Sequence, residues 1–169
     1  MNLRRDQRRD LVNPQDLVIQ LETSKEYFDR TTSVLTEADS SYAPAEGMMT
    51  VAQQLAHAAH SVDWFVEGAF REEGFDLDFS KFEVAQANAK SLEEGRAWLD
   101  RAYAAAVEAF GRCSEEELAA ALPPGPVLGG RPRFAIVVGI LEHTAHHRGS
   151  LAVYARNLGR QPAAPYGEM

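Results

Sequence analysis

The sequence predicts an all-α fold: a four-helix bundle with a long connection between its second and third helices. Three observations carry that expectation. Apolar residues recur at steps of three and four along four long segments, which is the period of one helix face. Start and stop signals bound those segments: Asn13-Pro14, Ser91 to Glu94, and Gly159 followed by Pro162. No internal repeat occurs, and no stretch reads as a strand with a second strand to pair with.

A chain of 169 residues fits one domain, 1–169, with a sizeable core. Residues 1–12 read as a flexible lead-in. Arg4, Arg5, Arg8 and Arg9 fall there; a basic arm for nucleic acid is the sharper reading and a solvated lead-in the plainer one. The first helix starts at Asn13-Pro14, a cap followed by a proline at the first position, and runs to about Ala38. Its stripe is Leu17, Leu21, Ser24, Phe28, Thr31 and Leu35. Turn formers fill Asp39 to Gly47. The second helix runs from Met49 or Thr50 to Phe70, with Val51, Leu55, Ala58, Val62, Phe65 and Ala69 inward.

Residues 71–90 read as an overhand loop that lays Phe75, Leu77, Phe79 and Phe82 onto the bundle, over one end of the site. The third helix opens on a capping box, Ser91-Leu92-Glu93-Glu94, and continues through Leu99, Tyr103, Ala106 and Phe110 to about Arg112. Ser114 to Glu117 repeats the capping pattern and starts a short helix to Leu122, which Pro123-Pro124 ends. The last helix takes Pro132 in its first turn and stops at Gly159.

Composition excludes several classes. The net charge of −8 argues against nucleic acid as a partner, because a phosphate-binding surface needs a basic excess. One cysteine, Cys113, allows neither an intrachain disulfide nor a cysteine zinc site. The longest apolar run, Phe134 to Leu141, is too short to span a membrane, and the N-terminus lacks the apolar core of a secretion signal. The expected location is the cytoplasm.

Three of the five histidines crowd into residues 143–147 of the last helix. Stepping by threes and fours gives a core stripe of Ile136, Ile140, His143, His147, Leu151, Tyr154 and Leu158. His143 and His147 therefore face inward, with Cβ atoms about 6 Å apart, while His146 falls on a rim or solvent row. Two adjacent buried imidazoles need partners. A metal ion supplies both at once; two hydrogen-bonded core histidines are the other reading. In the second helix, phase puts His57 at the edge of the buried face, in a row with Gln54, Ser61 and Trp64, and His60 further round towards the surface.

The absences narrow the chemistry. No Glu-x-x-His pair of a di-iron bundle occurs, nor His-Glu-x-x-His, nor a glycine-rich phosphate loop. No serine or cysteine nucleophile signature is present.

The segment His143-x-x-His146-His147-Arg148-Gly149-Ser150, with Tyr154-x-Arg156-x-x-Gly159-x-x-Pro162 and Tyr166-Gly167, resembles the last helix and tail of the DinB family. Met49 to His57, with Trp64 downstream, resembles that family's second helix. The family comprises bacterial four-helix-bundle proteins regarded as metalloenzymes. The resemblance implies a divalent metal held by His57, His143 and His147, zinc or nickel by the imidazole set. Ser150 departs from the family, where glutamine is frequent.

Three protein ligands leave coordination positions open, the mark of a reactive metal rather than a closed structural one. Some family members are thiol-dependent transferases or isomerases, so the resemblance implies a metal-dependent transferase, isomerase or hydrolase acting on a small molecule, with a low-molecular-weight thiol as partner. The alternative is a non-catalytic metal-binding stress protein. Arg148, Tyr154 and Arg156 are candidate substrate contacts, although surface arginines and a core tyrosine are the more ordinary assignment. A homodimer is expected, because bundles with exposed apolar helix faces pair through them.

Overall fold

The computed structural model describes residues 12–167. The arginines of the lead-in lie outside the described residues. Six α-helices follow in order: α1 Pro14–Thr32, α2 Val51–Phe70, α3 Ser80–Asn88, α4 Leu92–Gly111, α5 Glu115–Ala119 and α6 Ala135–Asn157. Among the described residues there is no strand, only an isolated bridge between Ala121 and Pro132. The four long helices form the bundle: α2 packs on α4 and α6, and α1 packs on the same two. Among the described residues no helix is long and apolar enough to cross a membrane.

The helix starts follow from their caps. Asn13 Oδ1 accepts the Gln15 amide at 2.9 Å, with Pro14 at the first position. Thr50 and Gln53 form a reciprocal box: the Gln53 amide donates to Thr50 Oγ1 at 3.2 Å and the Thr50 amide to Gln53 Oε1 at 2.8 Å. Ser91 caps α4 through the Glu94 amide at 3.1 Å. In place of a return bond from Glu94, the Glu37 carboxylate reaches across and accepts the Glu93 amide at 2.9 Å. Ser114 and Glu117 complete the box expected for α5.

Three boundaries differ from the sequence expectation. First, α1 stops at Thr32 rather than near Ala38. Asp39 explains the break. Its carboxylate accepts the Thr36 amide at 2.7 Å, closing a short 3-10 turn over Glu37–Asp39, and it pairs with Arg160 beyond α6. Leu35 is buried all the same. Second, the loop over 71–90 contains α3. None of its residues is buried, so it carries no apolar periodicity for a sequence reading to detect. Asp78 Oδ1 starts it by accepting both the amide and the hydroxyl of Ser80. Third, Pro132 lies in the bridge rather than in the first turn of α6. The next residue but one before the helix, Arg133, donates to Ala69 O and Glu117 O, so it fastens the ends of α2 and α5 to the start of α6.

The end of α6 is as expected. Gly159 takes φ +75°, the Arg160 amide donates to Ala155 O and the Gly159 amide to Arg156 O, which is a Schellman stop. The connection after α2 packs Phe75 on the bundle as expected, whereas Leu77 and Phe79 stay exposed. Phe75 lies 4.6 Å from Trp64, ring to ring, and over Gly68, where a Cβ would come within 2.4 Å of the Phe75 ring.

Candidate metal centre

Two helices build the site. The stripe of α6 buries Ile136, Ile140, His147, Leu151 and Tyr154, and His143 is half-buried between them. His146 is exposed, on the row its phase assigns. From α2, half-buried His57 faces both: its ring centroid is 5.3 Å from His143 and 5.0 Å from His147, and those two are 4.7 Å apart. One nitrogen from each of the three rings lies within 4.8 Å of the others. The closest approach is His147 Nε2 to His143 Nε2, 3.1 Å.

A chain of hydrogen bonds fixes the orientation of His147. It begins at a backbone carbonyl, Met49 O, which can only accept. The Tyr154 hydroxyl donates to it at 2.9 Å. The same hydroxyl then accepts from Gln54 Nε2 at 3.3 Å. That turns Gln54 Oε1 towards His147 Nδ1, 2.5 Å away. A carbonyl oxygen accepts, so Nδ1 carries the hydrogen and Nε2 keeps its lone pair towards His143 and His57. The polarity of the whole chain follows from one carbonyl, and it leaves the ring in the tautomer a metal ligand needs.

Electrostatics agree. Burial, with the neighbouring imidazoles second, pushes His147 down to about 3 and His143 down to about 4, and it lowers His57 from its ordinary value. All three rings are neutral at neutral pH. His57 Nδ1 is buried without a hydrogen-bond partner, as are His60 Nδ1 and Thr31 Oγ1 away from the triad. The residues therefore fit a metal ion: three neutral imidazoles with converging nitrogens, one held in tautomer and one with an unpartnered buried nitrogen.

A cavity of about 370 Å³ opens beside His57 and His143. Ser61, Trp64 and Phe65 of α2 line it, with Phe79 and the α3 residues Phe82, Glu83 and Gln86. A larger hollow of about 500 Å³, walled chiefly by α3 and α4, has no histidine in its wall.

The other candidates sit elsewhere. His60 is not the surface residue its phase suggests. Phe82 stacks on it at 3.9 Å with 12° between the planes, and its Nδ1 is buried without a partner. The helix that covers it is α3, which the sequence concealed. Tyr154 is a core residue of the hydrogen-bond chain rather than a substrate contact. Arg148 lies over the Tyr27 ring, and Arg156 donates to Ala152 O in its own helix. Ser150 donates to His146 O in its own helix. The residue that sequence reasoning missed is Gln54. Its signal was its place three residues before His57, on the same row of α2.

The sequence model of the DinB superfamily matches residues 20–151. Among proteins of curated function, none matches. Three solved structures share the fold. A DinB-like protein from Bacillus cereus is 18% identical, with a TM-score of 0.70, over 92% of this chain and 97% of its own. The DinB-like YjoA of Bacillus subtilis is 17% identical, with a TM-score of 0.65, over 91% and 99%. A conserved protein from Enterococcus faecalis is 19% identical, with a TM-score of 0.62, over 85% and 95%.

Proposed function

This chain belongs to the DinB superfamily, and on that premise we propose that it is a cytoplasmic metal-dependent enzyme acting on a small molecule. In this reading His57, His143 and His147 hold one divalent ion, zinc or nickel, the ions suited to an all-imidazole set. The observation that carries the reading is the convergence of three imidazole nitrogens within 4.8 Å, two of whose rings, His57 and His143, wall an aromatic cavity. The group has three members, and a three-ligand set leaves a position for water or substrate.

When bound, such an ion acts as a Lewis acid that lowers the pKa of a coordinated water or thiol. The chain's own groups supply the rest. Gln54 holds His147 in its tautomer. Trp64, Phe65 and Phe82 give the cavity beside the ligands an aromatic wall. The reaction class, thiol transfer, isomerisation or hydrolysis, comes from the family resemblance; the cavity's size limits the substrate to a small molecule.

The test is metal content by mass spectrometry on the untagged protein, beside His57→Ala and His147→Ala. About one ion per chain, lost in both variants, supports a centre shared by α2 and α6. No ion after addition of zinc and nickel would reduce the triad to packed core histidines and remove the enzyme reading. An ion that raises the melting temperature, without thiol conjugation or hydrolysis of any electrophile offered, would favour a non-catalytic stress protein.

The same reading includes a homodimer. Ile19, Val138 and Tyr166 are exposed around a groove of about 410 Å³ between α1 and α6. Glu142 and Arg148 line this groove three residues either side of Ala145. A two-fold axis through Ala145 would set Glu142 beside Arg148 of the partner subunit.

A further inference from the structure

The cavity beside the triad gathers four aromatic rings and one carboxylate, and among the described residues no lysine or arginine lines it. Trp64 is the hub. Its ring lies 5.3 Å from Phe65, 6.0 Å from Phe79 and 5.8 Å from Phe82, and Phe79 and Phe82 are 6.2 Å apart. The Trp64 indole N–H donates to Asp76 O at 2.7 Å, which fixes the plane of the ring. Glu83 is the charged group of the wall; Ser61 and Gln86 are its neutral polar members beside the imidazoles.

Aromatic faces are electron-rich and attract a cation within about 6 Å of the ring, Trp most strongly. A carboxylate among such rings adds attraction of the same sign. An anion would find no cationic side chain here and would face Glu83. The adjoining hollow repeats that sign. Asp63, Glu67, Asp76 and Asp78 line it, and its lysine, Lys81, is ion-paired with Asp76.

We propose that this cavity binds a small organic cation, an alkylated ammonium group carried on an apolar or aromatic body, and disfavours anions. His57 and His143 come from α2 and α6, whereas Glu83 and Gln86 come from α3, so imidazoles and carboxylate stand on different walls. A molecule held by its ammonium group at the α3 side presents its other end to the histidines. The volume, about 370 Å³, is near the lower end of the range of about 300–1,000 Å³ for small-molecule sites and suits a body of one or two rings. The proposal rests on the metal reading only for which end of the ligand faces the triad. The charge preference itself needs no metal.

The experiment is calorimetric titration of the metal-free full chain with three probes of similar size: benzyltrimethylammonium, neutral N-benzylacetamide and anionic phenylacetate. The cation is expected to bind about tenfold more tightly than the amide, with phenylacetate weakest. Glu83→Gln should remove most of the cation's advantage and leave the amide unchanged. Glu83 is exposed on a helix with no buried residue, so this variant should keep its melting temperature. Trp64→Leu should weaken the cation most. Phenylacetate binding as tightly as the cation, no binding of any probe, or a preference that survives Glu83→Gln would overturn the proposal. Repeating the titration after zinc addition separates the two readings. Cation preference without zinc uptake sinks the metal reading alone, and zinc uptake without cation preference sinks this one alone.

Discussion

Gln54 and His147 lie 93 residues apart in the chain and share a 2.5 Å contact from Oε1 to Nδ1. Through it, a backbone carbonyl at the start of α2 sets the tautomer of an imidazole in α6. Partners of this kind typically alter metal affinity by about 10–100-fold when removed. Gln54→Leu should therefore weaken zinc binding by about that factor without touching a ligand. Competition with a chromophoric chelator measures it. Unchanged affinity would mean that the ring is held by packing alone.

Metal loading should stabilise the fold. An ion that binds only the native state at a free concentration about a hundred times its Kd adds about 2.7 kcal/mol. The melting temperature should rise with added zinc and fall back with chelator. In His143→Ala it should no longer respond. A response that persists in that variant would place the ion elsewhere.

The pH dependence has a definite sign. His143 and His147 are lowered from an ordinary 6.5 to about 4 and about 3 by burial and by their neighbours. A group with a depressed native pKa contributes stability that is present above its unfolded value and is lost as pH falls towards its native one. The metal-free protein should be insensitive to these rings above about pH 6.5 and lose stability progressively between there and about pH 3. His147→Gln should flatten that slope in denaturant titrations at stepped pH. A rise in stability on acidification through this window would contradict the assignment.

Gly95 lets α4 pack close against α2. A Cβ there would fall 2.8 Å from Leu55 Cβ. Overpacking of this kind costs about 1–3 kcal/mol. Gly95→Ala should lower stability by that amount in urea titrations, despite alanine's better helix propensity. Stabilisation instead would show that the two helices separate readily.

The proposed dimer is tested by charge reversal. Sedimentation of the parent chain should give a dimer at micromolar concentration. Glu142→Arg should shift it towards monomer, and adding Arg148→Glu should restore it. A monomeric parent removes the proposal.

Much of this was legible beforehand because it depends on local chemistry. The caps at Asn13, Ser91 and Ser114 and the stop at Gly159 are short-range hydrogen-bond patterns. The inward phase of His143 and His147 follows from helical periodicity. His57 was harder. Periodicity alone left it at the edge of α2, because a helix in a bundle faces two neighbours and one stripe does not describe both.

The helix α3 was not legible, since it buries nothing and so carries no pattern. Its absence from the sequence reading also hid the cover over His60 and the cavity wall at Glu83, although Phe75, Phe79 and Phe82 were expected over one end of the site. The early end of α1 was hidden for a related reason: the partner that closes Asp39 is Arg160, 121 residues away.

The sequence by itself determined the helices, their inward faces and the two histidines of α6, because a helix's period and its caps are written within a few residues. Tertiary structure decided what those faces meet. It brought His57 to the pair, set Gln54 and Tyr154 behind His147, and laid α3 across the cavity. Those relationships join residues dozens of positions apart, and only the packing of α2 against α6 fixes their distances.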